Sequence, residues 1–258
     1  MLEKFSLEGK KAFVTGAAQG IGEVVALGFA DAGADVAIID MNQELAEQVV
    51  QKIKDKGRDA IAVKCDVTSP QDVDAMMDKV LEHFGEINIA YNNAGIVTYK
   101  GQFFTAEEMP FEAWKNVLDV NLDGVFLCAQ AAGKAMIKQK KGGAIINTAS
   151  MSAHIVNHPQ TYCNYNTSKA AVWMLTKCLA MEWAKYDIRV NSISPGYVNT
   201  PLAKYADKDK LEYWCDITPM KRLAEPEEMV GMCVYLASDA ASYTTGADMR
   251  VDGGYTIW

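Results

Sequence analysis

The sequence predicts an α/β fold in which helices flank a doubly wound parallel β-sheet. Short apolar runs typical of buried strands alternate with amphipathic segments typical of helices, and no repeat, low-complexity tract or linker interrupts them. The 258 residues, half of them hydrophobic, suit one domain over residues 1–258 with a sizeable core. A sheet of this kind binds ligands at the carboxyl ends of its strands, where the candidate binding residues of this sequence fall.

The boundaries of the elements follow from turn and capping residues. Ser69 and Pro70 are typical of a helix start, and Gly85 is typical of a helix end. The predicted strands are 11–15, 35–40, 60–65, 87–91, 143–147, 189–194 and 247–251, and the predicted helices are 23–32, 42–56, 70–84, 111–140, 165–185 and 226–236.

A glycine-rich turn joins the first predicted strand to the first predicted helix. It contains Gly16, Gln19, Gly20, Ile21 and Gly22. Between a strand and a helix, glycines let the backbone approach a pyrophosphate, whose charge the helix N-terminus stabilises. A tight turn without a ligand is the alternative interpretation.

Asp40 ends the second predicted strand, roughly 20 residues after the glycines, where a carboxylate can accept hydrogen bonds from an adenosine ribose. The same carboxylate would repel a 2′-phosphate, at a cost of several kcal/mol in a partly buried site. The residues that follow Asp40 contain no nearby Arg or Lys to offset this repulsion. The sequence therefore predicts NAD rather than NADP, although Asp40 could instead cap the next helix.

Two further strand ends carry candidate cofactor contacts. Asp66 and Val67 close the third strand, and Asp66 could meet the adenine amino group or simply stabilise a turn. Asn92, Asn93, Ala94 and Gly95 follow the fourth strand, where small residues and amides permit close approach to a flat ligand or form a plain turn.

Tyr165 and Lys169 are four residues apart, so they lie on one face of a predicted helix. A tyrosine with a pKa near about 10 is a poor base at neutral pH. A nearby ammonium stabilises the phenolate and lowers that pKa, so the pair could exchange a proton with an alcohol or a carbonyl compound. By itself the spacing is also compatible with an ordinary surface pair.

Asn121 is a polar residue in the apolar stretch of the predicted helix 111–140. It indicates either a helix kink with a bound water or a solvated turn.

The composition excludes several classes of partner. The net charge of −8 argues against nucleic acid and anionic membranes as partners. No basic block follows Met1 and no apolar run of membrane-spanning length occurs, so we expect neither a signal peptide nor a membrane span.

The six cysteines are scattered and lack a CxxC pair, which predicts reduced, mostly buried thiols in a cytoplasmic protein. His154 and His158 are close in sequence but lack an evident third ligand, so no metal site is predicted.

Six motifs occur together in the order and near the spacing of one family. They are Thr15 to Gly22, Asn92 to Gly95, Asn121, Ser150, Tyr165 to Lys169, and Pro195-Gly196 through Thr200. On these motifs the chain resembles the short-chain dehydrogenases/reductases over essentially its whole length. The resemblance implies a Rossmann-type sheet of seven strands and, usually, a homotetramer.

The resemblance also implies roles for individual residues. Tyr165 would be the acid/base, and Lys169 would hold the nicotinamide ribose and depress the Tyr165 pKa. Ser150 would hydrogen-bond the substrate oxygen, and Asn121 would hold a water that leads protons to solvent. Pro195 and Gly196 would contact the cofactor. Val198 and Thr200, which follow them, would contact the nicotinamide carboxamide.

The catalytic serine has two candidates, because the interval from the strand-end serine to Tyr165 is longer here than is usual in the family. Matching the strand end selects Ser150, whereas counting back from Tyr165 selects Ser152. We favour Ser150, since the strand fixes its position and loop length can vary.

The substrate class is predicted from two further stretches. Residues 147–157 and 252–258 are similar to family members that act on sugar alcohols and ketoses. Trp214 or Tyr197 could cover a sugar face, and a polar, aromatic-rich segment at about 197–220 is consistent with a lid. Side chains able to hydrogen-bond substrate hydroxyls are Ser152, His154, Asn157, His158 and Gln160.

Three alternatives remain at this point. The polar loop that contains His154 could be merely solvated. A reductase of keto-acyl or steroid substrates is the competing enzyme, although the strongly charged segment 204–210 disfavours an apolar lid. A regulator that senses the NAD redox state without turnover is the non-enzyme alternative, which an intact Ser-Tyr-Lys set argues against.

Overall fold

The computed structural model describes residues 2–201, 203 and 208–257. Its central feature is a seven-stranded parallel sheet in the order β3-β2-β1-β4-β5-β6-β7. The strands are β1 Lys11–Thr15, β2 Asp35–Asp40, β3 Ala60–Lys64, β4 Ile89–Asn92, β5 Gly143–Thr148, β6 Ile188–Pro195 and β7 Asp248–Val251. The predicted fold class is confirmed.

Helices cover both faces of this sheet. They are α1 Gly20–Asp31, α2 Gln43–Asp55, α3 Pro70–Phe84, α4 Phe111–Leu118, α5 Gly124–Gln139, α6 Cys163–Trp183, α7 Lys208–Ile217 and α8 Val230–Ala237. Because β1 pairs with both β2 and β4, the strand order reverses between β1 and β4. The carboxyl ends on either side of that reversal form the crevice in which such sheets bind ligands.

The central strands β1, β2 and β4 are largely apolar because both of their faces are buried. In β1, Phe13 packs in one core layer with α3 and α5, whereas its neighbour Val14 packs in the other layer with α1 and α8. Successive strand residues point to opposite faces, so a parallel sheet between two helical layers needs hydrophobic residues at every position.

The predicted helix 111–140 is in fact two helices joined by a π-helical turn. α4 ends at Leu118, the turn covers Asp119–Asp123, and α5 begins at Gly124. A π turn inserts one extra residue and so breaks the regular α-helical hydrogen bonding. Asn121 lies in this turn and is fully buried, which makes the solvated-turn alternative wrong.

Two other boundaries differ from the sequence prediction for identifiable reasons. β4 begins at Ile89 rather than at residue 87, because the Asn88 side chain accepts the hydrogen bond of the Lys11 amide at 2.7 Å. α7 lies in the segment predicted as an irregular lid, although Leu211, Trp214 and Cys215 have helical spacing and Trp214 is buried. Residues 202 and 204–207 of that predicted lid lie outside the described residues.

The cysteines are less buried than predicted. Cys65, Cys128 and Cys233 are buried, but Cys163 and Cys178 are exposed and Cys215 is intermediate. Helical periodicity turns Cys163 and Cys178 of α6 away from the core. All six are free thiols.

Among the described residues, no helix has both the length and the apolar character needed to cross a bilayer. The same part of the chain contains no group of three or more His, Cys, Asp or Glu that could hold a metal ion.

Asn42, and not Asp40, caps α2, since its side chain accepts the Leu45 amide hydrogen bond at 3.1 Å. Asn42→Ala should therefore lower the free energy of unfolding by about 1 kcal/mol, the usual value of an N-cap. Asn42→Ser should retain most of that stability, because a serine hydroxyl also caps. Urea unfolding of the three proteins measures the difference, and equal losses in both variants would contradict a capping role.

Candidate active site

A cavity of about 540 Å³ lies at the carboxyl edge of the sheet. It is formed by the segments that follow β1 to β6, which the fold brings together at the strand-order reversal. The predicted site residues that line it are Gly16, Gln19, Gly20, Ile21, Asp40, Asp66, Val67, Asn93, Ala94, Gly95, Ser150, Ser152, Asn157, Tyr165, Lys169, Pro195, Gly196, Val198 and Thr200.

The glycine turn presents backbone to this cavity. Gly16 and Gly20 have φ angles of +61° and +63°, which favour glycine. α1 begins at Gly20, and Gln19 at its N-cap forms no side-chain capping hydrogen bond. The first amides of α1 therefore keep their hydrogen-bonding capacity for an anion such as a pyrophosphate, so this end of the cavity fits a dinucleotide.

Gly22 is not a lining residue but allows the turn to pack. A Cβ at this position would lie 2.2 Å from the Gly16 carbonyl oxygen and 2.6 Å from Asn93 Nδ2. Only glycine leaves room for this close approach, so Gly22 acts on the cavity indirectly, through the position of Gly16.

The Asp40 carboxylate is fixed beside the glycine turn. Its Oδ2 accepts a hydrogen bond from the Ala18 amide at 3.0 Å, and its Oδ1 accepts one from the Asn42 amide at 2.9 Å. Each oxygen keeps a lone pair for a further donor. The carboxylate thus faces the cavity as an oriented negative group, with exposed Met41 next to it.

Asp66 stabilises a turn and also lines the cavity. Its Oδ1 accepts hydrogen bonds from the Thr68 amide at 2.9 Å and from the Thr68 hydroxyl at 2.8 Å, so it stabilises a turn. Asp66 and the buried Val67 also line the cavity, near the end of β3.

Asn93 ties the end of β4 to the end of β1. Its Nδ2 donates to the carbonyl oxygens of Thr15 and Gly16, both at 3.1 Å. The Thr15 hydroxyl in turn accepts hydrogen bonds from the amides of Asn93 and Ala94 at 3.0 and 3.1 Å. These four contacts hold the segment that leads to Gly95 against the floor of the cavity.

Lys169 is a buried ammonium on α6. Its Nζ donates to the Thr148 carbonyl oxygen at 2.7 Å and lies 5.8 Å from the centroid of the Tyr165 ring. Burial lowers the pKa of Lys169 from 10.5 to about 8, because the charged form loses hydration.

Tyr165 is partly exposed to the cavity, but surrounding protein atoms desolvate it. Burial raises the Tyr165 pKa above 10.0, and a side-chain hydrogen bond with Ser150 acts in the opposite direction. The expected depression of this pKa by Lys169 is therefore not met. Desolvation of the phenolate outweighs the groups that stabilise it.

Asn121 supports the cavity wall through hydrogen bonds to neighbouring segments. Its Oδ1 accepts the Ile96 amide hydrogen bond at 2.8 Å, and its Nδ2 donates to the Ile96 carbonyl at 2.8 Å and to Ser168 Oγ at 3.1 Å. These bonds couple the π-helical turn to α6 and to the segment after Gly95. The Asn121 side chain does not line the cavity.

The two candidate serines are placed differently. Ser150 hydrogen-bonds Tyr165, whereas the Ser152 hydroxyl donates to Asn157 Oδ1 at 2.6 Å. Both serines line the cavity. This geometry favours Ser150 as the partner of Tyr165 and gives Ser152 a different contact.

The predicted role of His154 in substrate binding needs correction. Its ring does not line the cavity but points to the opposite side of the loop, where Nε2 lies 2.9 Å from Asp248 Oδ2. His158 is exposed and does not line the cavity either. Sequence could not show this, since loop residues have no fixed alternation of side-chain direction.

Aromatic residues form much of the cavity wall near Tyr165. Phe103 and Tyr162 stack with ring centroids 5.0 Å apart, and Tyr197 and Trp214 stack at 4.1 Å and 8°. Tyr197 and Trp214 were candidates from the sequence. Phe103 and Tyr162 were missed, although Tyr162 lies three residues before Tyr165 and so near the same helix face.

Gln160 joins the second aromatic pair to the loop after β5. In the amide orientation that satisfies both polar atoms, it donates to the Asn157 carbonyl at 2.7 Å and accepts from Tyr197 Oη at 3.1 Å and from Trp214 Nε1. The loop, the segment after β6 and α7 are thus connected around one end of the cavity.

Known protein families and curated proteins include clear relatives of this chain. The protein-family model described as "Enoyl-(Acyl carrier protein) reductase" matches residues 16–256. Sorbose reductase SOU1 of Candida albicans is 44% identical over 257 residues, which are 99% of this chain and 90% of that protein. Galactitol 2-dehydrogenase of Rhizobium johnstonii is 41% identical, over 99% of this chain and 98% of that protein.

Solved structures give the same result. A short-chain type dehydrogenase/reductase from Mycobacterium marinum has a TM-score of 0.96 and 46% identity, covering 100% of this chain and 99% of that one. A gluconate 5-dehydrogenase from Burkholderia cenocepacia in complex with NADP and tartrate has a TM-score of 0.93 and 35% identity, covering 100% and 99%.

The chain belongs to the short-chain dehydrogenase/reductase family. It is an oxidoreductase that uses a nicotinamide cofactor to interconvert an alcohol and a carbonyl compound.

The buried Lys169 predicts a pH dependence of stability in the cofactor-free protein. Its pKa is about 8 in the folded state against 10.5 ordinarily, so between these pH values the unfolded chain binds more protons. Stability due to this residue should therefore rise with pH across that window, by about 3 kcal/mol in total. Below the window, both states carry the proton and the folded state bears the full cost of burying the charge.

Urea unfolding of the native protein and of Lys169→Met from pH 7 to pH ~10.5 measures this contribution. As pH rises, the free energy of unfolding of the native protein should increase relative to that of Lys169→Met. Lys138→Met, on the exposed surface of α5, controls for the loss of one positive charge. A difference that is flat, or that slopes the other way, would contradict a buried ammonium at Lys169.

Proposed function

We propose that this enzyme is an NAD-dependent dehydrogenase that interconverts a sugar alcohol and its ketose. The observation that carries the proposal is the grouping of Tyr165, Lys169 and Ser150 at one end of a dinucleotide-sized cavity. Polar groups and aromatic rings surround that end, which suits a substrate with several hydroxyls.

The cofactor would occupy the cavity from Asp40 to Tyr165. The first amides of α1 would bind the pyrophosphate, Asp40 the adenosine ribose, and Asp66 with Val67 the adenine. Lys169 would bind the nicotinamide ribose, Asn93 to Gly95 would underlie the ligand, and Val198 and Thr200, after Pro195-Gly196, would contact the carboxamide. When bound, the nicotinamide ring accepts or gives the hydride.

Proton transfer would be the task of this chain. Tyr165 Oη would take the proton of the substrate hydroxyl in oxidation and return it in reduction. Lys169 would stabilise the phenolate, and in a site closed to water its ammonium acts more strongly than in solution. Ser150 would hydrogen-bond the substrate oxygen as it becomes a carbonyl.

Asn121 would support proton exchange with solvent through a bound water. A π turn leaves a backbone carbonyl without its regular helical partner, which is a natural acceptor for water. The buried position of Asn121, between Ile96 and Ser168, supports this role.

A polyol substrate is supported by the polar groups at the cavity. Ser152 and Asn157 are buried there, and Gln160 and Tyr197 form the adjoining hydrogen-bonded pair. Similarity to a sorbose reductase and a galactitol dehydrogenase supports the same class. Ring faces such as Trp214 and Tyr197 would pack against the carbon-bound hydrogens of the substrate.

NAD is preferred over NADP in this proposal because of Asp40. Its oriented carboxylate faces the cavity, and among the described residues that line the cavity Lys169 is the only Arg or Lys. A 2′-phosphate would meet this charge unscreened. Two similar solved structures contain NADP and another contains NADH, so the preference requires a direct test.

The segment of about 197–220 would act as a substrate lid, which the contacts of α7 with Tyr197 and Gln160 support.

A homotetramer in the cytoplasm is proposed from the family resemblance and from the absence of a cysteine framework typical of secretion.

Tyr165→Phe should lower turnover of polyols at least about 10³-fold, because the proton acceptor is removed. NAD affinity should stay within about twofold, since the ring that packs in the site is kept. The measurement is NAD(P)H formation from polyols and secondary alcohols, and NAD(P)H consumption with keto esters, each with both cofactors. Tyr162→Phe, one helical turn earlier in the same cavity, is the matched control and should lose far less.

Other outcomes of this panel would reject parts of the proposal. Substantial turnover by Tyr165→Phe would mean that another group transfers the proton. Activity of the native protein on keto esters alone would favour a keto-acyl reductase. No turnover of any substrate, with NAD still bound, would favour a redox-sensing regulator.

Asp40→Ala should reduce the preference for NAD over NADP by about tenfold or more, measured as the ratio of kcat/KM values. Glu44→Ala removes a nearby exposed charge that does not line the cavity and should leave the ratio unchanged. An unchanged ratio in Asp40→Ala would show that the ribose is recognised elsewhere.

A further inference from the structure

The loop after β5 has two faces with different contacts. Ser152 and Asn157 point to the cavity and are joined by a 2.6 Å hydrogen bond. His154, between them in sequence, points away and reaches Asp248, the first residue of β7, at 2.9 Å. Their side chains are 15% and 6% exposed, so this contact is largely shielded from solvent.

Asp248 is held in place independently of His154. Its Oδ1 accepts hydrogen bonds from Ser192 Oγ at 2.5 Å and from Ser194 Oγ at 2.9 Å, both on β6. Since β6 and β7 pair in the sheet, the carboxylate has a fixed position relative to the sheet edge. It therefore offers the loop a rigid, charged anchor.

The His154 ring is also confined from the helix side. It packs edge-on against Trp173 of α6 at a centroid distance of 4.7 Å. Lys177 Nζ lies 3.6 Å from the centroid of the same Trp173 ring, which helps to fix the indole. Contacts from β6, β7 and α6 thus define one position for His154.

The backbone transmits this position to the cavity face. The Ala153 amide donates to the Ser150 carbonyl at 2.9 Å, and the His154 amide donates to the Met151 carbonyl at 2.9 Å. Residues 150–154 therefore form a tight turn that moves as a unit. A displaced His154 would displace Ser152 and, through their hydrogen bond, Asn157.

We propose that His154 is a positioning residue, anchored by Asp248, that fixes Ser152 and Asn157 for recognition of substrate hydroxyls. The identity of the substrate as a polyol rests on the proposed function. The anchor contact does not touch the cavity, so its effect on substrate is indirect.

The test is steady-state kinetics of His154→Leu with a polyol and with 2-butanol, a simple secondary alcohol. KM for the polyol should rise about tenfold, because mispositioned hydrogen-bonding groups bind it less well. KM for NAD should stay within about twofold, and so should kcat/KM for 2-butanol, which has no further hydroxyls to recognise.

Two variants separate positioning from general stability. His154→Gln keeps a donor near the Nε2 position and should restore most of the polyol KM. His83→Leu removes the matched pair of His83 and Asp59, which are 2.9 Å apart at the surface, with His83 edge-on to Phe84. The His83→Leu variant should leave KM for the polyol and kcat/KM for 2-butanol unchanged.

Three results would overturn the proposal: an unchanged polyol KM in His154→Leu, equal losses for polyol and 2-butanol, or no rescue by His154→Gln. Failure of the proposed function would look different, since the native protein would then oxidise no polyol. In that case the same variants are compared on the panel substrate that does react, because Ser152 and Asn157 line the cavity whatever enters it.

Discussion

The site depends on one buried ion, the ammonium of Lys169, held by a backbone carbonyl. Burying an ammonium costs several kcal/mol, and here only the Thr148 carbonyl is a direct partner among the described contacts. The reduced Lys169 pKa of about 8 reflects that cost. Thr148 ends β5, and pairing of β5 with β4 and β6 fixes its carbonyl, so the sheet itself holds the charge in place.

The two ends of the cavity are formed by different chemical groups, backbone at one end and side chains at the other. At the cofactor end, backbone amides and close glycine contacts dominate, as with Gly22 and the Gly16 carbonyl. At the substrate end, side chains of three separate loops meet, with Phe103 after β4, Asn157 after β5 and Tyr197 after β6. Backbone geometry suits a ligand common to a family, whereas loop side chains can vary with the substrate.

Sequence predicted best what depends on local pattern. β1 and β2 match their predicted bounds because continuous apolar runs end at Thr15 and Asp40. A helix interruption at Asn121 could be predicted, but its π geometry could not, since the Ile96 groups that Asn121 hydrogen-bonds are 25 residues away in sequence. The direction of His154 and the Phe103 wall depend on loop packing, which has no periodic signal. The roles assigned to Tyr165, Lys169 and Ser150 stay predictions.

In the mechanism proposed above, the chemistry and the recognition of substrate are attached to the fold at different places. Tyr165 and Lys169 sit on α6 beside the centre of the sheet, whereas the loop of Ser152 and Asn157 is tethered to its edge through Asp248. A change at the edge can therefore alter which hydroxyls are recognised while the buried ammonium and its phenol partner keep their geometry. This separation gives a physical reason why one fold can serve many alcohols with one acid/base pair.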